Sequence, residues 1–286
     1  MRRRVRLLAI LLPGALAMLA QPAAQRASEE FYQPKLWKLS STDNAVFLLG
    51  SIHVGTPEMY PLPKVIEDAF AASSVLLVET YAPPSDLTNE AVIENIVREK
   101  GFYPSNDSLW KHISKEARHR LMDFCKKNWF FKKGDLRPKD LARMRPWAVA
   151  LFVDLSPVLS RGMDPDLGVD KHFVGEAEHA AAPKRIVGIE SDEFQARLLS
   201  GFPEDLQVKW LEVKLGLEMD VNGVEAIEKA FVQDRNVHMA EVAEQFLKGN
   251  EQAFMVVGSA HIGGDQGVVR LIGVRGYKVE EVAVSR

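Results

Sequence analysis

Two short stretches of this chain each end an apolar run with the same small residues and a histidine. Phe47-Leu48-Leu49-Gly50-Ser51-Ile52-His53-Val54-Gly55 matches Met255-Val256-Val257-Gly258-Ser259-Ala260-His261-Ile262-Gly263. Each reads as a buried strand followed by Gly-Ser-x-His-x-Gly. Glycine at a strand end permits a sharp turn and close backbone approach. A parallel sheet gathers its ligands at the carboxyl ends of its strands. Two imidazoles delivered there can share one metal ion or divide acid–base work. One histidine in such a turn is most simply structural. A second copy, with no repeat in the surrounding sequence, favours chemistry.

Carboxylates occupy comparable positions. Glu79 ends the apolar run Val75-Leu76-Leu77-Val78, and Glu190 ends Ile186-Val187-Gly188-Ile189. A buried acid is costly unless it is paired or bound to metal. Two histidines and two glutamates at four strand ends make a mixed N/O set suited to Mn2+, Co2+ or Zn2+. A metal there would lower the pKa of a bound water, with a glutamate as base. Each glutamate also suits the N-terminus of the helix that follows it, and for Glu190 the two readings stand level. Arg235, in Asp234-Arg235-Asn236, suits an oxyanion, a substrate carboxylate or a surface ion pair. His172 and His238 read individually as structural. No G-x-S-x-G, P-loop, H-E-x-x-H or post-strand GxGxxG is present.

The elements that must position these residues alternate. Residues 37–40 and 45–49 form an expected hairpin. A helix over 64–72 and a strand over 74–80 complete a βαβ unit, implying a parallel pair. Helical spacing dominates from about 88 to 180, which reads as an insertion. Further strands are expected at 185–190, 253–258 and 277–284, with helices over 206–247 (broken near Asn222-Gly223) and 266–273. The fold class is therefore α/β, with a central, mostly parallel or mixed sheet and a helical insertion. One domain, 26–286, would follow the leader.

The chain has 286 residues, 47% hydrophobic and 26% charged, the proportions of a soluble globular protein. A net charge of -3 argues against nucleic acid as a partner. The basic run Arg2-Arg3-Arg4-Val5-Arg6, the apolar stretch Leu7 to Ala20 and the small segment near residues 21–27 have the order of a secretory signal, assigned to residues 1–25. A periplasmic or secreted protein is expected, and no later segment is apolar enough to span a bilayer. The lone Cys125 is assigned to core packing. Lysines and aromatics around Trp129 read as a helix end, with a docking patch as the alternative.

Taken together, Leu48 to Gly55, Tyr60-Pro61-Leu62-Pro63, Val78-Glu79, Gly168-Val169-Asp170, Gly188-Ile189-Glu190, Asp234-Arg235-Asn236 and Val257 to Gly263 resemble the TraB/GumN family. The resemblance runs from about residue 36 to 282. That family includes the Tiki proteins, described as divalent-metal-dependent proteases with two Gly-x-x-His motifs and a required glutamate. It is grouped with erythromycin-esterase-like and ChaN-like proteins on an α/β scaffold. The resemblance implies a metal-dependent hydrolase, a peptidase by preference, acting on a peptide or small molecule. His53, Glu79 and His261 would hold the metal, and Glu79, Glu190 and Arg235 would serve catalysis. The alternative is a non-catalytic protein that sequesters a peptide or a haem-like ligand in the same cleft.

Overall fold

The computed structural model describes residues 32–83, 85–128, 137–217, 225–227 and 229–285. The expected signal segment, the aromatic–basic patch at 129–133 and the break near Asn222-Gly223 lie outside them. Along the chain come β1 (Leu36–Ser40), β2 (Ala45–Ser51), α1 (Lys64–Ala72), β3 (Val75–Thr80), α2 (Leu87–Lys100), α3 (Lys115–Lys127), α4 (Pro138–Leu141) and α5 (Pro146–Leu159). Then follow α6 (Val169–His179), β4 (Arg185–Glu190), α7 (Asp192–Gly201), α8 (Glu204–Lys214), α9 (Asp234–Lys248), β5 (Ala253–Gly258), α10 (Val268–Val274) and β6 (Lys278–Val282). The class is mixed α/β, as the alternating pattern predicts.

The chain divides into two compact units. One is built on a six-stranded sheet of order β4-β3-β5-β2-β1-β6. The strands β4, β3, β5 and β2 run parallel to their neighbours, and β1 pairs antiparallel with both β2 and β6. The β1–β2 hairpin and the parallel direction of β2 and β3 follow the sequence reading. Adjacency of β2 and β3 does not, because β5 inserts between them. β5 is buried along its whole length, as a strand with neighbours on both sides and helices on both faces must be.

Alternate residues of the parallel strands feed two cores. Leu48, Leu77, Met255 and Val257 pack against Met239, Ala240 and Ala243 of α9 and Val268 and Ile272 of α10. Leu49, Leu76, Val78, Phe254 and Val256 pack on the other face against Ile66 and Phe70 of α1 and Val169 and Phe173 of α6. The result is a three-layer α/β/α unit.

The second unit is helical and comprises 83–163 and 192–228. Its most buried helix is α5, which Pro146 opens, where a missing N–H costs nothing. The indole of Trp147 donates to the Lys100 carbonyl at 2.8 Å. Buried Asp154 meets Lys214 of α8 at 3.2 Å. Cys125 is buried, and burial pushes its thiol up to about 12, as core packing and not nucleophilic use requires. The helical unit differs in extent from the predicted insertion: α6, inside that range, belongs to the sheet unit, because its apolar face carries Val169, Phe173 and Ala177.

In the sheet unit, Gly55 exchanges two backbone hydrogen bonds with Asp164, at 2.9 and 2.8 Å. A Cβ on Gly55 would lie 2.0 Å from the Leu167 carbonyl oxygen. Gly55→Ala should therefore cost about 1–3 kcal/mol through backbone displacement. A urea midpoint equal to that of the wild type would contradict this.

Candidate functional site

The predicted strand-end residues meet. His53 follows β2, Glu79 is the next-to-last residue of β3, Glu190 closes β4, and His261 sits in the short 3-10 turn after β5. β2 and β5 pair directly, with Ser51 opposite Gly258, so the two Gly-Ser-x-His turns are neighbours. The Ser259 hydroxyl joins them by donating to the Ser51 carbonyl at 2.9 Å.

At the centre lies Arg235, 2% exposed, at the start of α9. A π-helical turn, Lys229–Gln233, precedes that helix; such turns often occur at functional sites. All five N–H donors of the guanidinium are engaged. Nε donates to Glu190 Oε1 at 2.9 Å, and Nη2 donates to Glu190 Oε2 at 2.9 Å and Glu79 Oε2 at 2.5 Å. Nη1 donates to the Phe231 carbonyl at 3.0 Å and faces His261 Nε2 at 3.1 Å. Arginine has no lone pair to offer, so His261 Nε2 is the acceptor in that contact. The proton then sits on Nδ1 and is donated to Asn236 Oδ1 at 2.6 Å. Asn236 is oriented in turn by its amide, which donates to the Gln266 carbonyl at 2.7 Å.

Glu79 is 3% exposed. Its Oε1 accepts from the Gly258 backbone N–H at 2.6 Å. The same oxygen lies 3.7 Å from His53 Nε2 and 3.8 Å from His261 Nε2. His53 Nδ1 contacts Asp170 Oδ1 at 2.9 Å. That contact is an ion pair out of hydrogen-bond alignment, since neither buried ring nitrogen of His53 has a hydrogen-bond partner.

The electrostatics separate the two imidazoles. Burial opposes charge on His53, but Asp170 and Glu79 outweigh it and push the pKa up to about 10. Burial pushes His261 down to about 4, against the pull of Glu79 and with help from Arg235 and His53. Glu79 also suffers burial, yet Arg235 and the two histidines hold it well below the ordinary carboxylate range.

Sequence reasoning named His53, Glu79, Glu190, Arg235 and His261, and all five fall in this cluster. It assigned no role to Asp170 or Asn236, although both lay in quoted motifs. The signal available was position: each lies close to a helix start, where a polar side chain can face a strand end. His172 and His238 stand apart. His172 lies against Tyr60 and Glu67, and His238 Nε2 faces the Ile189 carbonyl at 3.1 Å.

The donors suit a divalent cation in kind. Two imidazole Nε2 atoms and one carboxylate oxygen converge, and each imidazole has an oxygen behind its Nδ1, the usual backing of a metal-bound histidine. Among the described residues no three ligating side chains are already gathered at metal spacing, and Arg235 takes the His261 lone pair.

A model of the TraB/PrgY/gumN family matches residues 35–281. The chain belongs to that family. No curated protein and no solved structure matches it. Among the described residues of this TraB/PrgY/gumN member, no helix is long and apolar enough to cross a membrane.

Two predictions follow from the charges. Unfolded histidine titrates near about 6.5. His53, raised in the fold, stabilises fully below that value and loses its contribution as pH rises toward about 10. His261, lowered, stabilises above about 6.5 and loses its contribution as pH falls toward about 4. Chelator-treated protein should therefore lose the alkaline decline in His53→Gln and the acid decline in His261→Gln, read as urea midpoints across pH. Unchanged limbs in both variants would refute the charge assignment. Arg235→Met should cost about 3–5 kcal/mol by stranding two buried carboxylates, with a deficit that narrows under acid.

Proposed function

We propose that the strand-end cluster is the centre of a metal-dependent hydrolase, a peptidase, in which His53, His261 and Glu79 hold Mn2+, Co2+ or Zn2+. The observation carrying this reading is the approach of two imidazole Nε2 atoms to one Glu79 oxygen, with Asp170 and Asn236 behind them. The family resemblance to Tiki proteins supports the peptide substrate.

A bound dication would supply Lewis acidity and a water acidic enough to attack a carbonyl near neutral pH. The chain's own residues do the rest. Asp170 backs His53 Nδ1, and Asn236 keeps a proton at His261 Nδ1, so both Nε2 atoms are presented on the Glu79 side. Gly258 N–H and Arg235 hold the Glu79 carboxylate ionised. Glu190 fixes Arg235 through a two-pronged contact, and Arg235 offers positive charge beside any oxyanion that forms there. The order of residues 1–27 supports export to the periplasm or the exterior.

A second reading of the same residues is capture of a peptide or haem-like ligand without turnover. Elemental analysis after incubation with each metal separates the readings, together with cleavage of a peptide library with and without chelator. The hydrolase reading expects the wild type to retain metal and cleave, and His53→Ala/His261→Ala to do neither. Asp170→Asn should weaken metal binding by about 10–100-fold. Cleavage that survives chelation, or a wild type that holds no metal, overturns the proposal.

A further inference from the structure

A cleft of about 760 Å3 passes residues 58–68 of the sheet unit. It shares Tyr32, Pro34 and Pro63 with a neighbouring cleft of about 530 Å3. Both fall in the size range of ligand sites. Met59, Tyr60 and Leu62 give the larger cleft an apolar wall.

That wall is tied to the strand-end cluster by one short segment. The Tyr60 hydroxyl donates to the Leu167 carbonyl at 2.8 Å, and the Tyr60 ring lies 4.4 Å from the His172 ring. Within the same segment, the Val169 N–H donates to the Ile52 carbonyl at 2.9 Å. Gly168 abuts the His53 backbone, where a Cβ would lie 2.7 Å from the His53 carbonyl carbon. Asp170 contacts His53 itself. Burial, then the charges of Asp170 and Glu67, push the Tyr60 hydroxyl up to about 12. Asp170 is the most open member of the cluster, with its side chain 23% exposed.

The cleft is also acidic. Lys64 pairs with Asp68, and Lys35 pairs with Glu281 in the adjoining cleft. Among the described residues, Glu58 and Glu67 have no lysine or arginine partner; Glu58 is hydrogen-bonded by Thr56 and backbone, and Glu67 lies beside Tyr60 and 3.6 Å from His172.

We infer that this cleft is the subsite for an extended peptide that sets a basic side chain between Glu58 and Glu67 and apolar residues against Tyr60 and Met59. The inference rests on the hydrolase reading only for its choice of a peptide as ligand. An apolar wall beside two carboxylates that lack a lysine or arginine partner suits a long alkyl-ammonium side chain, whose stem packs while its head pairs.

The test is fluorescence anisotropy on the full chain, with labelled hexapeptides identical except for a central Lys, norleucine or Glu. The Lys peptide should bind about tenfold more tightly than the Glu peptide, the sum of two rim ion pairs. Added salt should shrink that gap. Glu58→Gln/Glu67→Gln should reduce it to about twofold or less, with an unchanged thermal midpoint confirming an intact fold. His53→Ala/His261→Ala should keep the full preference. Equal binding of the three peptides, a preference for Glu, no binding of any, or a preference surviving in the glutamine variant overturns the inference. Charge-selective binding without cleavage sinks the hydrolase reading alone; cleavage without charge-selective binding sinks the subsite alone.

Discussion

A guanidinium buried between two carboxylates is tolerable only when every donor and every charge is matched. Arg235 meets that condition with five engaged N–H groups, two glutamates, one backbone carbonyl and one imidazole. Its consequences spread outward. Because Nη1 donates to His261, the tautomer of that ring is set. Because Nη2 donates to Glu79, the other carboxylate oxygen remains oriented toward Gly258 and the two histidines. Glu190 has the plainer task of keeping the arginine in register.

The sheet order makes this matching possible. Four consecutive parallel strands, β4-β3-β5-β2, each deliver one member of the cluster at the same end: Glu190, Glu79, His261 and His53. Had β2 and β3 been direct neighbours, the Gly258 N–H and His261 could not have stood between His53 and Glu79. The insertion of β5 is thus a structural requirement of the site. Its uninterrupted apolar run Ala253-Phe254-Met255-Val256-Val257 feeds both cores at once.

Much of this was legible in the sequence because strand ends leave a local signature: an apolar run, a glycine, then a polar residue. That signature marked His53 and His261, and in weaker form Glu79 and Glu190. The contributions of Asp170 and Asn236 left no comparable mark. Both come from helices whose approach depends on packing, Asp170 through Val169 and Phe173 in one core and Asn236 through Met239 and Ala240 in the other. Spacing along the chain cannot show which strand end a helix start will meet. The position of β5 was hidden for the same reason, since a fully buried strand carries no alternation to distinguish its neighbours. The resemblance identified the family, and the geometry added the partners behind each imidazole.

Charge counting then links the observed arrangement to the proposed one. Glu79, Glu190 and Asp170 formally bring three negative charges to the cluster, and Arg235 returns one positive. The remaining imbalance explains why His53, buried as it is, favours its proton while His261, hydrogen-bonded to the arginine, does not. The divalent cation proposed above would answer the same imbalance more fully than a proton can, because it would neutralise two charges where the imidazolium neutralises one. Release of the His53 proton would accompany its entry, since a ligating imidazole must be neutral. Its entry would also require Arg235 Nη1 to give up its hydrogen bond to His261 Nε2. Arg235 would remain as the fixed counter-charge to Glu190 in either state.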